Sequence, residues 1–134
     1  METLFVNFNG EILPSTEGVF TATNRAFRYG DSIFETMRSK GLEVLFFDLH
    51  LTRLFRAMGA MEFDIPAYFT KPFLQLQIEK LLKRSRLFAG AKLRLSVFRA
   101  DGGLYLPTNN SPMFIIEAEK LDEQNFGINK TGLS

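Results

Sequence analysis

The spacing of apolar residues changes twice along this chain, and that pattern restricts the fold more than any other feature. Between Leu4 and Phe8 the side chains alternate, Phe5 and Asn7 on one side and Leu4, Val6 and Phe8 on the other, which is the period of a strand. Ile33, Glu35 and Met37 alternate in the same way with Phe34, Thr36 and Arg38. The period then lengthens. Leu49, Thr52, Leu54, Phe55, Met58 and Met61 recur at helical spacing, as do Phe73, Leu74, Leu76, Gln77, Ile78, Leu81 and Leu82. Alternation returns from Ala91 to Ala100, where Leu93, Leu95 and Val97 oppose Lys92, Arg94, Ser96 and Phe98, and Met113 to Ala118 forms a last strand. Helices segregated from consecutive antiparallel strands define an α+β class: two layers, antiparallel strands with two helices on one face, in β-β-β-β-α-α-β-β order.

Punctuation sets the boundaries. Asn9-Gly10 is a two-residue hairpin signal, followed by a short return strand Glu11-Ile12-Leu13 that Pro14 stops. Ser15 to Tyr29 has little periodicity and reads as an ordered loop or short helical turn. Lys40-Gly41-Leu42 turns a second hairpin between Ser32–Ser39 and Glu43–Phe47. Asp48 then serves as the N-cap of a helix over 49–61. Ile65-Pro66-Ala67 breaks the chain, and Thr70, with Pro72 in the first turn, starts a second helix that runs to about Arg86. Lys80, Lys83, Arg84 and Arg86 crowd its C-terminal end, where cations suit the helix dipole. Asp101-Gly102-Gly103 is a turn, and Lys120 to Ser134 is a polar tail or linker.

Composition removes whole classes of chemistry. With 134 residues the prior is one domain. A net charge of +1 carries no nucleic-acid footprint. The absence of Cys removes thiolate catalysis and Cys-held metals, and a single His removes multi-His metal motifs. No stretch reaches the roughly 18 apolar residues that span a bilayer, and Met1-Glu2-Thr3 is no basic leader. The reading is a soluble, cytoplasmic chain without nucleic-acid or membrane partners. The aromatics are lopsided: 15 Phe, 3 Tyr and no Trp.

Three clusters could carry chemistry. Asn24 to Thr36 holds two arginines, the rings of Phe27 and Tyr29, and Gly30 just before a strand; an aromatic-anchored loop is the plainer reading. Arg53 falls near the start of its helix, where free N–H groups and a guanidinium can converge on an anion, although a helical arginine is by default solvated and His50 beside it reads as a surface histidine. Arg94, Arg99 and Tyr105 place two guanidiniums and a phenol near one strand end, an arrangement that suits a carboxylate; cross-strand pairing with Glu117 or Glu119 is the alternative.

Tyr29-Gly30-Asp31-Ser32-Ile33-Phe34-Glu35-Thr36-Met37-Arg38, followed by Phe46-Phe47-Asp48-Leu49-His50-Leu51-Thr52-Arg53-Leu54, resembles the class IV (fold type IV) pyridoxal-phosphate enzymes: branched-chain and D-amino acid aminotransferases and aminodeoxychorismate lyases. Tyr-Gly-x-x-x-Phe-Glu joined to His-x-x-Arg-Leu is far more specific than either motif alone, and Gly102 to Pro107 resembles the family's later interdomain loop. The resemblance covers the family's N-terminal small domain. It implies that Arg53 binds the phosphate of pyridoxal 5′-phosphate, that Tyr29, Phe34 and Arg38 line the substrate pocket, and that Arg94 helps hold the substrate carboxylate. Arg99 and Tyr105 are weaker carry-overs, because that loop varies with substrate class.

The resemblance also implies a Schiff-base lysine in a large C-terminal domain. Lys40, Lys71, Lys80, Lys83, Lys92, Lys120 and Lys130 are the lysines here, and only Lys130 lies near the expected linker, where it reads as a solvated charge. The expectation is therefore a small domain over 1–119, the start of an interdomain linker over 120–134, and the large catalytic domain absent, so that the chain is the N-terminal part of an aminotransferase and carries no catalytic lysine. The substrates implied are an amino acid and a 2-oxo acid, and the assembly implied is a homodimer. An aminodeoxychorismate lyase fragment is the near alternative. A stand-alone dimeric module holding a small anion through Arg53 and Arg94, or a domain whose phenylalanines only mediate dimerisation, are the alternatives without catalysis. Val44 to Phe47 and Phe88 are the candidates for exposed apolar surface.

Overall fold

The computed structural model describes residues 5–15, 32–99 and 112–121. Asn9 and Gly10 take φ of 57° and 100°, the pair of positive values that a tight primed turn requires, so β1 (Phe5–Phe8) doubles straight back into β2 (Glu11–Pro14). Pro14 does not stop β2 but ends it in register with Phe5. β2 is an edge of the sheet, where a residue without an N–H forfeits no ladder bond. The remaining elements are β3 (Ser32–Lys40), β4 (Glu43–Val44), α1 (Phe47–Ala60), α2 (Lys71–Arg84), β5 (Gly90–Arg99) and β6 (Pro112–Lys120). The described strands form one antiparallel six-stranded sheet in the order β2-β1-β6-β5-β3-β4. The expected α+β class and element order hold.

Alternation decides what each face carries. Ile33, Glu35 and Met37 of β3 stand opposite Val97, Leu95 and Leu93 of β5, which stand opposite Phe114, Ile116 and Ala118 of β6. This face packs on α1 and α2 in one core that includes Leu51, Leu54, Met58, Leu74, Ile78, Leu81 and Leu82. Three phenylalanines knit the helices to the sheet: Phe69, Phe73 and Phe114 lie with ring centroids 5.9–6.2 Å apart. That cluster absorbs part of the phenylalanine excess. The opposite face, expected to be polar along β5, is so only in part. Ser96 and Phe98 are buried, and Val6, Phe98 and Ile115 form a second small apolar cluster there.

The start of α1 departs from expectation. The return strand of the second hairpin is only Glu43–Val44, and Phe47 already belongs to the helix. Phe46 sits in the left-handed region at φ 56° and is the N-cap residue, without a side-chain capping bond. Asp48 is instead a first-turn residue that pairs with Lys71 at 2.7 Å. The reversal at Phe46 lets the backbone enter the helix at once, so no separate capping side chain is used. The apolar stripe shifts accordingly: Phe47, Leu51, Leu54 and Met58 are buried, whereas Leu49 is 61% exposed. α2 begins as expected, with Thr70 Oγ accepting from the Phe73 N–H and Pro72 in the first turn. It ends at Arg84, two residues earlier than expected, because Arg86 turns left-handed at φ 58°. Of the suspected apolar surface, Val44 and Phe47 are buried, while Leu45, Phe46 and Phe88 are exposed.

One polar residue ties the hairpin to the helical layer. Asn7, on the helix-facing side of β1, is fully buried. Its Nδ2 donates to Gln77 O and Oε1 at 3.0 and 3.1 Å, and its Oδ1 accepts from the Gly10 N–H at 2.8 Å. Asn7→Ala removes both functions and strands buried Gln77. The expected loss is about 2 kcal/mol of unfolding free energy, read as a lower urea midpoint at unchanged denaturant slope.

Candidate functional site

β3 supplies the centre of the site because its successive residues serve opposite faces. Glu35 points to the helix side, between Ile33 and Met37 and opposite Leu95. There its side chain is only 12% exposed, and two residues of α1 meet it. His50 Nδ1 lies 2.7 Å from Glu35 Oε1. Arg53 donates through Nη2 to Oε1 at 2.8 Å and through Nε to Oε2 at 3.3 Å, the side-on, two-bond form of a guanidinium–carboxylate pair. A carboxylate only accepts, so Nδ1 of His50 carries the proton. The 3.2 Å approach of Arg53 Nη2 to that same Nδ1 is then a meeting of two donors on one oxygen.

These contacts set the charge of Glu35. Burial alone pushes its carboxyl up, but the hydrogen bonds from Arg53 and His50, together with their charges, outweigh it and hold the group below the usual carboxylate range. Glu35 in turn raises Arg53 through the same hydrogen bond. A carboxylate whose folded pKa is depressed stabilises the fold above its unfolded pKa, and that stability is lost as pH falls through the folded value. Glu117 has the opposite sign. Burial, aided by the like charge of Glu119, pushes it up against the pull of Arg94. Its ionisation therefore opposes folding at neutral pH, and the penalty disappears as pH falls through the raised pKa. Glu117→Gln is expected to raise the melting temperature at pH 7 and not at pH 4. Glu35→Gln is expected to flatten the loss of melting temperature below about pH 4.5. Thermal melts across pH 3–8 check both.

The other face of β3 carries the expected substrate-side residues. Phe34, Thr36 and Arg38 stand opposite Ser96, Arg94 and Lys92. The Arg94 guanidinium lies 4.1 Å from the centroid of the Phe34 ring, and Phe34 remains 53% exposed. Arg94 is also in register with Glu117, whose carboxyl feels its charge, so the cross-strand alternative is realised electrostatically while the guanidinium stacks on the ring. Phe34, Arg94, Ser32, Ile33 and Ser96 line a small cavity of about 180 Å³. The Ser96 hydroxyl is buried there, with no hydrogen-bond partner among the described residues. A second hollow, of about 360 Å³, is lined by Thr36, Arg38, Phe46, His50 and Lys92, so His50 bridges the two sides of β3.

Arg53 and Glu35 thus meet on one side of β3, and Phe34, Arg38 and Arg94 gather on the other. Arg53 lies in the second turn of α1, because the helix starts earlier than expected, so it does not sit among the first-turn N–H groups. Arg99 ends β5 opposite Pro112, and its side chain is outside the described residues, as are Tyr29 and Tyr105. His50 is not the surface histidine expected: its side chain is 16% exposed and bonded. The motif alone assigns Glu35 no role. Its signal lies in the alternation itself, which sets a carboxylate among core-facing positions, and a buried charge requires a partner.

The family model described as amino-transferase class IV matches residues 32–131. The chain is 28% identical over 101 residues to the D-alanine aminotransferase of Bacillus licheniformis, covering 75% of this chain and 31% of that protein. It is 25% identical over 127 residues to the aminodeoxychorismate lyase of Bacillus subtilis (strain 168), covering 92% and 43%. Among solved structures, the branched-chain aminotransferase of Thermoproteus uzoniensis with norvaline superposes with a TM-score of 0.71 at 17% identity, over 90% of this chain and 42% of that one. The branched-chain amino acid aminotransferase of Thermobaculum terrenum in its PLP-form (holo-form) does so with a TM-score of 0.60 at 12% identity, over 92% and 42%. The chain therefore spans less than half the length of these relatives. Among the described residues no helix is long and apolar enough to cross a membrane.

Proposed function

The chain belongs to the class IV aminotransferase family, and on that footing we propose that it is the small-domain half of a pyridoxal-phosphate aminotransferase. In this reading residues 1–119 form the small domain and 120–134 begin the linker to a catalytic domain that carries the Schiff-base lysine. The observation that carries the proposal is the arrangement of Arg53. Glu35 occupies one side of its guanidinium, and among the described residues none accepts from Nη1. The side chain is 58% exposed. A guanidinium has five N–H donors, so three stay available at the exposed end, in the fork that matches a phosphate.

The residues present therefore fit the cofactor's phosphate. The substrate side fits a carboxylate: Arg94 brings the charge, Ser96 a hydroxyl with no partner among the described residues and Phe34 an apolar wall, with Arg38 on the same face. Tyr29, Arg99 and Tyr105 complete this side in the proposal. Pyridoxal phosphate, when bound, supplies the ring that accepts the electron pair released at the substrate α-carbon. This chain's own part is to anchor the phosphate at Arg53 and the carboxylate near Arg94, and so to fix the geometry between them. The substrates proposed are an amino acid and a 2-oxo acid, and the assembly a cytoplasmic homodimer.

Titration with pyridoxamine 5′-phosphate tests the reading, since its amine does not react with surface lysines. The chain is expected to bind it at least about 10-fold more tightly than pyridoxamine, because only the former offers the phosphate to Arg53. Equal affinities would overturn the assignment. In parallel, borohydride treatment after incubation with pyridoxal phosphate is expected to label no single lysine stoichiometrically. One fully labelled lysine would place the catalytic amine within this chain.

A further inference from the structure

We propose that Glu35 is the positioning residue for Arg53: it grips the Nε–Nη2 side of the guanidinium, shares its carboxylate with His50, and so holds the Nη1 end outward as a preformed phosphate receptor. The inference rests on the reading of Arg53 as the phosphate holder and adds the device that makes a surface arginine into one.

An unrestrained arginine on a helix samples many rotamers, and ordering it on ligand binding costs free energy. Here the ordering is done in advance. Both Glu35 oxygens are engaged by Arg53, at 2.8 and 3.3 Å, and one of them also accepts from His50 at 2.7 Å. Glu35 is itself fixed, because it projects from the middle of a nine-residue strand paired along its whole length with β5. His50 and Arg53 are three residues apart in α1 and so share one helix face. The receptor is therefore built on a strand and a helix rather than on a loop.

Packing does not explain the carboxylate. Its neighbours in the alternation are Ile33 and Met37, and Leu95 faces it across the ladder fully buried. A methionine of similar length would pack in this row, and because the Arg53 side chain is 58% exposed, its charge stays in solvent rather than buried and unpaired when the carboxylate is removed. The structure retains a charge where packing alone favours none. Its two partners both come from the helix that carries the phosphate-binding candidate.

The test separates positioning from folding. Glu35→Met is expected to keep the fold, with a melting temperature at neutral pH lower by no more than a few degrees. It is expected to weaken pyridoxamine 5′-phosphate binding about 10-fold, whereas Glu35→Gln, which keeps one acceptor oxygen, weakens it about 3-fold. Since His50 is the single histidine of the chain, its ring nitrogens give an unambiguous NMR signal. The ligand-free wild type is expected to show the proton on Nδ1, together with a protected Arg53 Nε–H. Glu35→Met is expected to lose both signatures. A folded Glu35→Met protein that binds pyridoxamine 5′-phosphate as tightly as the wild type overturns the inference, as does a wild-type His50 with its proton on Nε2 alone. If Glu35→Met does not fold, unchanged affinity in Glu35→Gln together with a lost Nε–H signature overturns it equally. A wild-type chain that binds no pyridoxamine 5′-phosphate instead brings down the reading of Arg53 on which the inference rests.

Discussion

Arg53→Ala is expected to lower the affinity for pyridoxamine 5′-phosphate by roughly 100-fold, the loss of about two charge-assisted hydrogen bonds. Affinity for pyridoxamine, which has no phosphate, should not change. The side chain is 58% exposed, so its removal opens no cavity in the core. It does take two of the three hydrogen bonds from Glu35, which is 12% exposed and keeps only His50. The Glu35 carboxyl should then lose most of what holds it down, with burial pushing it up and His50 alone opposing, and the melting temperature should fall by a few degrees. Arg53→Lys separates charge from shape. A lysine keeps the positive charge but cannot engage Glu35 through two nitrogens and present a fork at its other end, so its affinity should fall between wild type and alanine. Equilibrium dialysis and thermal melts on the three proteins check the set. An alanine variant with wild-type phosphate affinity would leave the arginine as a partner of Glu35 and nothing more.

Leu54→Ala should have the largest effect on stability. Leu54 is fully buried in the row Phe47, Leu51, Leu54 and Met58 that seats α1 on the sheet. Deleting a side chain of this kind costs about 3 kcal/mol, the transfer loss plus the cavity left behind. For a chain of this size that corresponds to a melting temperature lower by roughly 10 °C. The neighbouring residue is Arg53, so a helix that rocks in its seat also moves the guanidinium. Phosphate affinity should therefore drop in Leu54→Ala although nothing that contacts the anion has changed, and an added apolar ligand that fills the cavity should restore part of it. A melting temperature within 3 °C of the wild type would show that the neighbouring side chains collapse into the space.

The sheet and its helices were legible because period is written in the sequence. Alternation at Leu93 to Val97 translates directly into a buried row, and at Ile33 to Met37 into one that is half-buried at Ile33 and buried at Met37; Thr70 with Pro72 begins α2 as their chemistry requires. The start of α1 was not legible. It depends on Phe46 taking a left-handed conformation, which phenylalanine seldom adopts and which no local signal announces. The covered half of the outer face was hidden for a similar reason, since Ser96 and Phe98 are buried by tertiary packing. In the candidate site, Arg53, Phe34 and Arg38 were proposed from a motif and Arg94 from its strand position, whereas Glu35 and His50 stood inside the same motif without a role. A bidentate contact between residues 18 positions apart appears only once the strand and the helix are placed side by side.

The alternation of β3 has one more consequence. Phe34 and Glu35 are adjacent in sequence yet serve opposite faces, so a slip of one residue between β3 and β5 would exchange the two halves of the site at a stroke. Fidelity of pairing is thus a functional requirement, and the far end of the ladder enforces it. There Gly90, at φ 150°, comes so close to β3 that a Cβ would stand 2.9 Å from the Ser39 carbonyl oxygen, and the Ser39 hydroxyl accepts from the Ala91 N–H at 2.9 Å. Gly90 and Ser39 therefore act as an assembly gauge for β3 against β5: a slipped ladder would lose both their close approach and their hydrogen bond.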